Sequence, residues 1–216
     1  RRSKETQLAR HDGPGDVPTA PESSGGAIDG RRLRAERSRE RIVDALLKLV
    51  QSGEMNPSAA MVAETARVSL RTVFRHFEEM ESLYLEMGRV CEARFLPTFR
   101  SPYRARDWQG RLREHLARRV RVFEDVMFLR ICTMQRRFRS DVLMEDYHRF
   151  FELERTGLEA LLPEERLADG EWVAALDVAL SFESYRRLRQ ERGLSPDAAG
   201  AALSRMLDMI IAGAAR

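Results

Sequence analysis

Cysteine, lysine and proline are scarce: the 216 residues hold two cysteines, two lysines and eight prolines. Cys91 and Cys132 stand alone on segments that read as helical, without the spacing of a disulfide framework or a zinc site, so a reducing cytoplasm is the expected setting. No apolar run approaches the ~18 residues that suggest a membrane span, and no signal-peptide core stands near the start. The Val, Ile and Thr runs of strands are missing, while Ala, Leu, Arg, Glu and Met dominate, so an all-α protein is expected. Catalytic signatures are missing as well. There is no His-Glu-x-x-His run, no phosphate-cradling glycine loop and no Gly-x-Ser-x-Gly elbow. No enzyme activity, cofactor or metal is expected.

What is present is a globular balance, 43% hydrophobic and 33% charged, with a net charge of only +3. The distribution of that charge is more informative than its sum. Residues 31–41, "RRLRAERSRER", hold six arginines against Glu36 and Glu40, a local excess of +4. Such a run suits phosphates or an anionic surface, and equally a solvated helix face.

Residues 1–30, rich in Gly, Pro, Ser and Asp, read as a flexible tail in which Arg1, Arg2, Lys4 and Arg10 could form a weak DNA-touching arm. About nine helices follow. The first runs from about Arg32 to Ser52, with Ile42, Ala45, Leu46, Leu49 and Val50 at helical spacing and Gly53 as its stop. Pro57 and Ser58 open a short second helix, and "SLRTVFRHF" makes a third, capped by Ser69. Two short helices with a tight turn between them make a helix-turn-helix. Further helices are expected over about 79–96, ending at Pro97; over 107–138, as one bent helix or two, capped by Asp107; and over 141–162, 171–191 and 196–213. The expected organisation is a tail (1–30), a helix-turn-helix domain (31–78) and a helical remainder (79–216).

At ~100° per residue, Val73 and Phe77 of the third helix share one direction and Arg71 and Arg75 the opposite one, with Thr72 and Phe74 flanking the arginines and Leu70 towards the core. A helix fits the DNA major groove, where Arg can donate two hydrogen bonds to guanine O6 and N7. Phe74 could press on a thymine methyl and His76 meet a phosphate. The spacing alone fits a solvated helix face equally well.

The block "RIVDALLKLVQSGEMNPSAAMVAETARVSLRTVFRHFEEMESLYLEM" is distinctive as a whole. Its amphipathic first helix, Val62-Ala63, Val68-Ser69, the "TVFRHF" run and Leu83 resemble the N-terminal domain of the TetR family of bacterial transcriptional regulators. The resemblance covers about residues 38–87. It implies that Ser69, Leu70, Arg71, Thr72, Phe74, Arg75 and His76 supply base and phosphate contacts, that Ser58 meets a phosphate, and that Arg34 and Arg37 approach the neighbouring backbone. Three residues depart from the family pattern. Arg67 stands where the turn usually has Gly, Phe74 replaces a common Tyr, and Met80 replaces a Lys that meets the backbone.

Beyond the fourth helix the likeness weakens, although "SFESYRRLRQERGLSPDAAGAAL" is still similar to the tail of many such regulators, whose last two long helices form a four-helix dimer interface. "WVAALDVALSF" and the stripe Ala199, Leu203, Met206, Leu207, Ile210 and Ile211 are wide enough for a core on one side and a partner on the other, or for a single-chain core. Among the middle helices, Met127, Phe128, Met134, Phe138, Tyr147, Phe150, Phe151 and Tyr185 suggest a pocket for an apolar or aromatic small molecule, and His115 and His148 could orient it. The resemblance therefore implies a homodimeric, cytoplasmic repressor, released from a palindromic double-stranded DNA operator by an effector, with the fourth helix as lever. The alternative is a helical ligand-binding or scaffold protein whose DNA binding is degraded.

Overall fold

The computed structural model describes residues 25–213. Among these, all regular structure is helical. Five segments build the first part: α1 (Gly25–Gln51), α2 (Ala59–Ala66), α3 (Leu70–His76), α4 (Met80–Arg100) and α5 (Trp108–Arg136). Five more follow: α6 (Asp141–Glu159), α7 (Glu164–Leu167), α8 (Gly170–Ala179), α9 (Phe182–Arg186) and α10 (Pro196–Gly213). With the single-turn α7 set aside, the number matches expectation.

The described residues fall into two units, one ending at Arg37 and the other beginning at Ser38. In the first, the described residues form the opening of α1, where Arg34 and Arg37 are exposed and Arg32 pairs with Glu36 one turn on, at 3.0 Å. Such a pair is worth a few tenths of a kcal/mol. α1 starts at Gly25, inside the stretch read as tail through residue 30. Once a helix is nucleated each further residue adds a hydrogen bond, so Gly30, at about 1 kcal/mol against Ala, weakens the extension without stopping it. Arg1, Arg2, Lys4 and Arg10 lie outside the described residues.

The second unit holds two cores. In one, Ile42, Leu46 and Val50 of α1 pack with Val62 and Ala66 of α2, Val73 of α3, Phe77, and Leu83, Tyr84 and Met87 of α4. Leu129 and Cys132 of α5 and Leu143 of α6 close it. The other joins Leu112, Leu116 and Phe123 of α5 to Leu158, Leu176, Phe182, Tyr185, Leu203 and Leu207. Full burial of each such Leu or Phe contributes roughly 1.5–3 kcal/mol. α5, with side chains in both, is the shared beam.

Local signals explain most boundaries. Gly53, at φ +93°, ends α1, and Asp107 caps α5 by accepting from the Gly110 N–H. Two expected boundaries are corrected. α4 does not end at Pro97 but continues to Arg100. Proline there forfeits one hydrogen bond in what is already the last turn, and the Ser101 N–H and hydroxyl both close onto the Pro97 carbonyl, at 3.1 and 2.9 Å. The segment 171–191 is not one helix. It breaks at Leu180, after which Ser181 caps α9 by accepting from the Ser184 N–H at 3.2 Å, and a π turn over Arg187–Glu191 finishes it. A serine offering its side chain to the backbone makes the break favourable.

Candidate nucleic-acid interface and ligand cavity

Ser58 opens α2 by accepting from the Met61 N–H at 3.3 Å. α2 closes at Arg67, which takes up the left-handed conformation (φ +53°, ψ +47°) and is the one non-glycine residue at positive φ among those described. The Val68 N–H reaches back to the Ala63 carbonyl at 3.0 Å, and the Arg67 N–H to Glu64, closing the helix in the arrangement that usually employs glycine. An L side chain there carries strain of about 1–2 kcal/mol. Arg67→Gly is therefore expected to stabilise the protein by roughly 1 kcal/mol and raise the midpoint of thermal unfolding followed by circular dichroism. An unchanged or lower midpoint contradicts the strain.

Ser69 caps α3, accepting from the Thr72 N–H at 3.1 Å, with its hydroxyl 2.9 Å from that of Thr72. Val73 and Phe77 are buried as expected. Leu70 is not turned to the core: it is 45% exposed, beside Phe74 at 46%. At the first residue of a helix this short, no neighbouring element covers the side chain, so the outer face consists of Leu70, Arg71, Phe74 and Arg75, all exposed. Thr72 is half-buried and engaged with Ser69.

His76 is partly turned inward. Its Nε2 is buried without a hydrogen-bond partner, and burial, then Arg75 and Arg39, lowers its proton affinity. Arg39, one of the six arginines of the basic run, does internal work. It donates to the His76 carbonyl at 3.2 Å, lies 4.4 Å over the Phe77 ring and pairs with Glu86 at 3.1 Å. Nothing in the linear sequence distinguished it from its neighbours. Met80 packs against the first core, which accounts for an apolar residue at that departure from the family pattern.

A cavity of about 370 Å³ lies between α4, α5 and α6. Of the pocket residues expected from the sequence, Met134, Tyr147 and Phe150 line it. Met127 and Tyr185 instead belong to the second core, where the Tyr185 hydroxyl donates to Glu124 at 2.7 Å. Phe138 is 73% exposed, Phe151 also faces outward, and Phe128 is exposed beside a minor cleft. The reason is angular. The cavity stripe of α5 runs through Val122, Val126, Leu129 and Thr133, so Phe128 is turned far away from it, while Met127, one turn beyond Phe123 at the edge of the stripe, packs into the second core. Phe95 and Phe99 of α4, Phe123, Arg119 and Arg130 of α5 are cavity residues that the sequence reading passed over. His148 is exposed, whereas His115 does line the cavity.

The cavity is apolar with a few charged groups. Arg130 pairs with Glu154 at 2.5 Å and lies 4.8 Å over Phe150. Arg149 is held between Glu92, at 2.8 Å, and Asp146, at 3.0 Å. Burial first, then Arg119 and Arg118, pushes the His115 imidazole down to about 3, so it is neutral near pH 7. Cys91, also in the wall, is a free thiol pushed up to about 11 by burial. Where the wall meets the first core, Tyr84 lies 4.5 Å under the Arg136 guanidinium. Arg136 donates to the Met55 carbonyl at 3.0 Å and to Asn56 Oδ1, in the loop that precedes α2. Cys132 donates to the same Met55 carbonyl at 3.3 Å. No group of three His, Cys, Asp or Glu side chains is placed to hold a metal among the described residues, and no helix there is long and apolar enough to cross a membrane.

No protein-family profile and no curated protein sequence matches the chain. Solved structures do. A transcriptional regulator from Rhodococcus sp. Rha1 is similar at 22% identity and a TM-score of 0.65, covering 81% of this chain and 96% of its own. The multidrug binding protein EbrR, complexed with imidazole, is similar at 20% identity and a TM-score of 0.53, covering 79% of this chain and 89% of its own. The fold is TetR-like.

Proposed function

We propose that this chain is a DNA-binding transcriptional regulator, acting as a homodimeric repressor whose hold on a palindromic operator is released by a small molecule. The observation that carries the proposal is the outer face of α3. Two arginines and two apolar side chains stand exposed on a helix whose opposite face is fully packed and whose start is fixed by Ser69. A helix held in this way can enter a major groove, with Arg71 and Arg75 on base edges and Ser58, Ser69, Thr72, Arg34 and Arg37 on the phosphate backbone. His76, neutral and partly buried, is better suited to shaping the end of α3 than to meeting a phosphate.

The remainder supports a ligand-responsive dimer. Val178 on α8 and Met209 on α10 are 67% and 69% exposed, with the exposed Met206 one turn before Met209, and apolar side chains so presented suit a second copy. The cavity between α4, α5 and α6 has the size and lining of a small-molecule site. α4 and the Arg136–Met55 contact connect its wall to the loop before α2, so a ligand preferring one placement of α4 and α5 biases α3 as well. The tail (1–30), helix-turn-helix (31–78) and helical remainder (79–216) then serve as accessory, reader and sensor. Loss of DNA binding, leaving a helical ligand-binding protein, is the competing reading; it draws on Met80, whose side chain serves the core where a cation would meet phosphate.

Fluorescence anisotropy with a labelled mixed-sequence duplex tests the reading. Binding at low salt that falls steeply as salt rises, and that is lost in Arg71→Glu/Arg75→Glu, is expected. Absence of binding at low salt favours the competing reading.

A further inference from the structure

The cavity is not electrically uniform. α4 and α6 both run opposite to α5, so one end of the cavity gathers the end of α4, the start of α5 and the end of α6. Phe99 meets the His115 ring there, with centroids 5.5 Å apart, and Arg119 donates to the Glu154 carbonyl at 2.5 Å. Towards the other end Arg149 is shared by two carboxylates, Glu92 and Asp146, and the guanidinium groups of Arg137 and Arg136 lie behind the Tyr147 and Tyr84 rings. Phe95, Phe123, Val122, Val126, Phe150 and Leu153 fill the stretch between.

The first end is donor-rich. Arg119, only 2% exposed, gives its hydrogen bonds to two backbone carbonyls, those of Leu180 and Glu154, and to no carboxylate among the described residues. Glu154's own carboxylate is engaged by Arg130. Burial accordingly weighs against the Arg119 charge, with Glu154 and Asp177 only partly offsetting it. Arg100 stands at the rim of the same end.

His115 completes the arrangement. Its Nδ1 lies 2.9 Å from the Tyr103 hydroxyl. Arg118, 4.1 Å over the Tyr103 ring, spends its hydrogen bonds on the Ser101 and Pro102 carbonyls; a phenol is the better donor and an imidazole nitrogen the better acceptor, so the phenol proton is assigned to Nδ1. A neutral imidazole that accepts at Nδ1 carries its proton on Nε2. That Nε2 is buried and without a partner. A buried donor left unmade is costly, and a ligand oxygen that takes its hydrogen bond recovers the loss.

Resting on the effector-site reading above, we propose that the cavity takes an amphipathic carboxylate, its apolar body against Phe95, Phe123 and Phe150 and its oxygens at His115 Nε2 and Arg119. The donors of His115 and Arg119 place the head group at the first end, and the body runs from there along the aromatic wall. Cations are disfavoured at the end where His115 and Arg119 meet.

Isothermal titration of the full chain, without DNA, with biphenyl-4-carboxylate, biphenyl-4-carboxamide and 4-phenylbenzylamine tests this on three probes that share one body. The carboxylate is expected to bind at least ten-fold more tightly than the amine, with the amide between them. His115→Phe should weaken the carboxylate at least five-fold while leaving the amine within two-fold, and His115→Gln, which keeps an N–H donor, should restore part of the preference. An amine that binds as tightly as the carboxylate, no binding of any probe, or an equal loss of all three in His115→Phe overturns the proposal. If His115→Phe does not fold, the comparison of probes on the unaltered protein decides alone. Duplex anisotropy on the same preparations reports on DNA binding separately, so failure of the ligand class and failure of the regulator reading remain distinct.

Discussion

Arg71→Ala and Arg75→Ala should each weaken binding to a cognate duplex by about 1–3 kcal/mol, roughly a 5- to 160-fold rise in Kd, and each should relax the base preference under its own position. Both side chains are exposed on α3, one turn apart, and neither contributes to the core beneath them, so the substitutions leave the fold intact. The base-specific part of the loss is read by comparing the cognate duplex with one altered at the corresponding base pairs. A base reader loses discrimination as well as affinity, whereas an arginine on phosphate loses affinity alike on every sequence. Arg34→Ala and Arg37→Ala should show the second behaviour. If the Arg71 and Arg75 variants bind every duplex as the parent does, α3 is not the reading element.

The second large effect is expected from Val178→Glu/Met209→Glu. Both positions are more than two-thirds exposed, so charges there cost the isolated chain little. Behind them α8 and α10 are already joined, the Trp172 indole N–H donating to the Ile210 carbonyl at 3.1 Å, and the Trp172 ring also meets Trp108 of α5 edge-on at 6.0 Å. Opposing glutamates at a self-complementary interface repel. Sedimentation should show a dimer for the parent and a monomer for this variant. Affinity for a full palindrome should fall by about a hundred-fold or more, because the second half-site is no longer engaged at a high effective concentration. A dimer that survives both charges places the interface elsewhere.

The legibility of the sequence followed the physics of each element. Caps are local: Ser58, Ser69 and Asp107 could be read directly, because a short polar side chain before an apolar run has few other roles. The inward face of α3 was legible from period alone, since Val73 and Phe77 lie one turn apart. Leu70 was misplaced because a hydrophobic residue at a helix start is indistinguishable by pattern from a core residue, and its exposure depends on what lies beyond the helix. Arg67 was legible as a conflict but not in its outcome; the Ala63 and Glu64 carbonyls hold it in the left-handed conformation. The cavity was least legible. Bulk identified aromatic residues in the right helices, but only the rotation of α5 decides that Val126 and Thr133 face inward while Phe128 faces out, and only the neighbouring helices decide that Met127 is covered by the second core. His115 was legible only as a candidate on a par with the exposed His148, and Arg119 gave no signal, for buried polar residues are recognised by their partners, and those come from other parts of the chain.

Selection of bound duplexes from a random DNA pool at near-physiological salt tests the central claim most directly. The account predicts enrichment of a palindrome whose half-sites are spaced for two α3 helices in successive major grooves. Recovery of unenriched sequence, with binding that merely fades as salt rises, would contradict it.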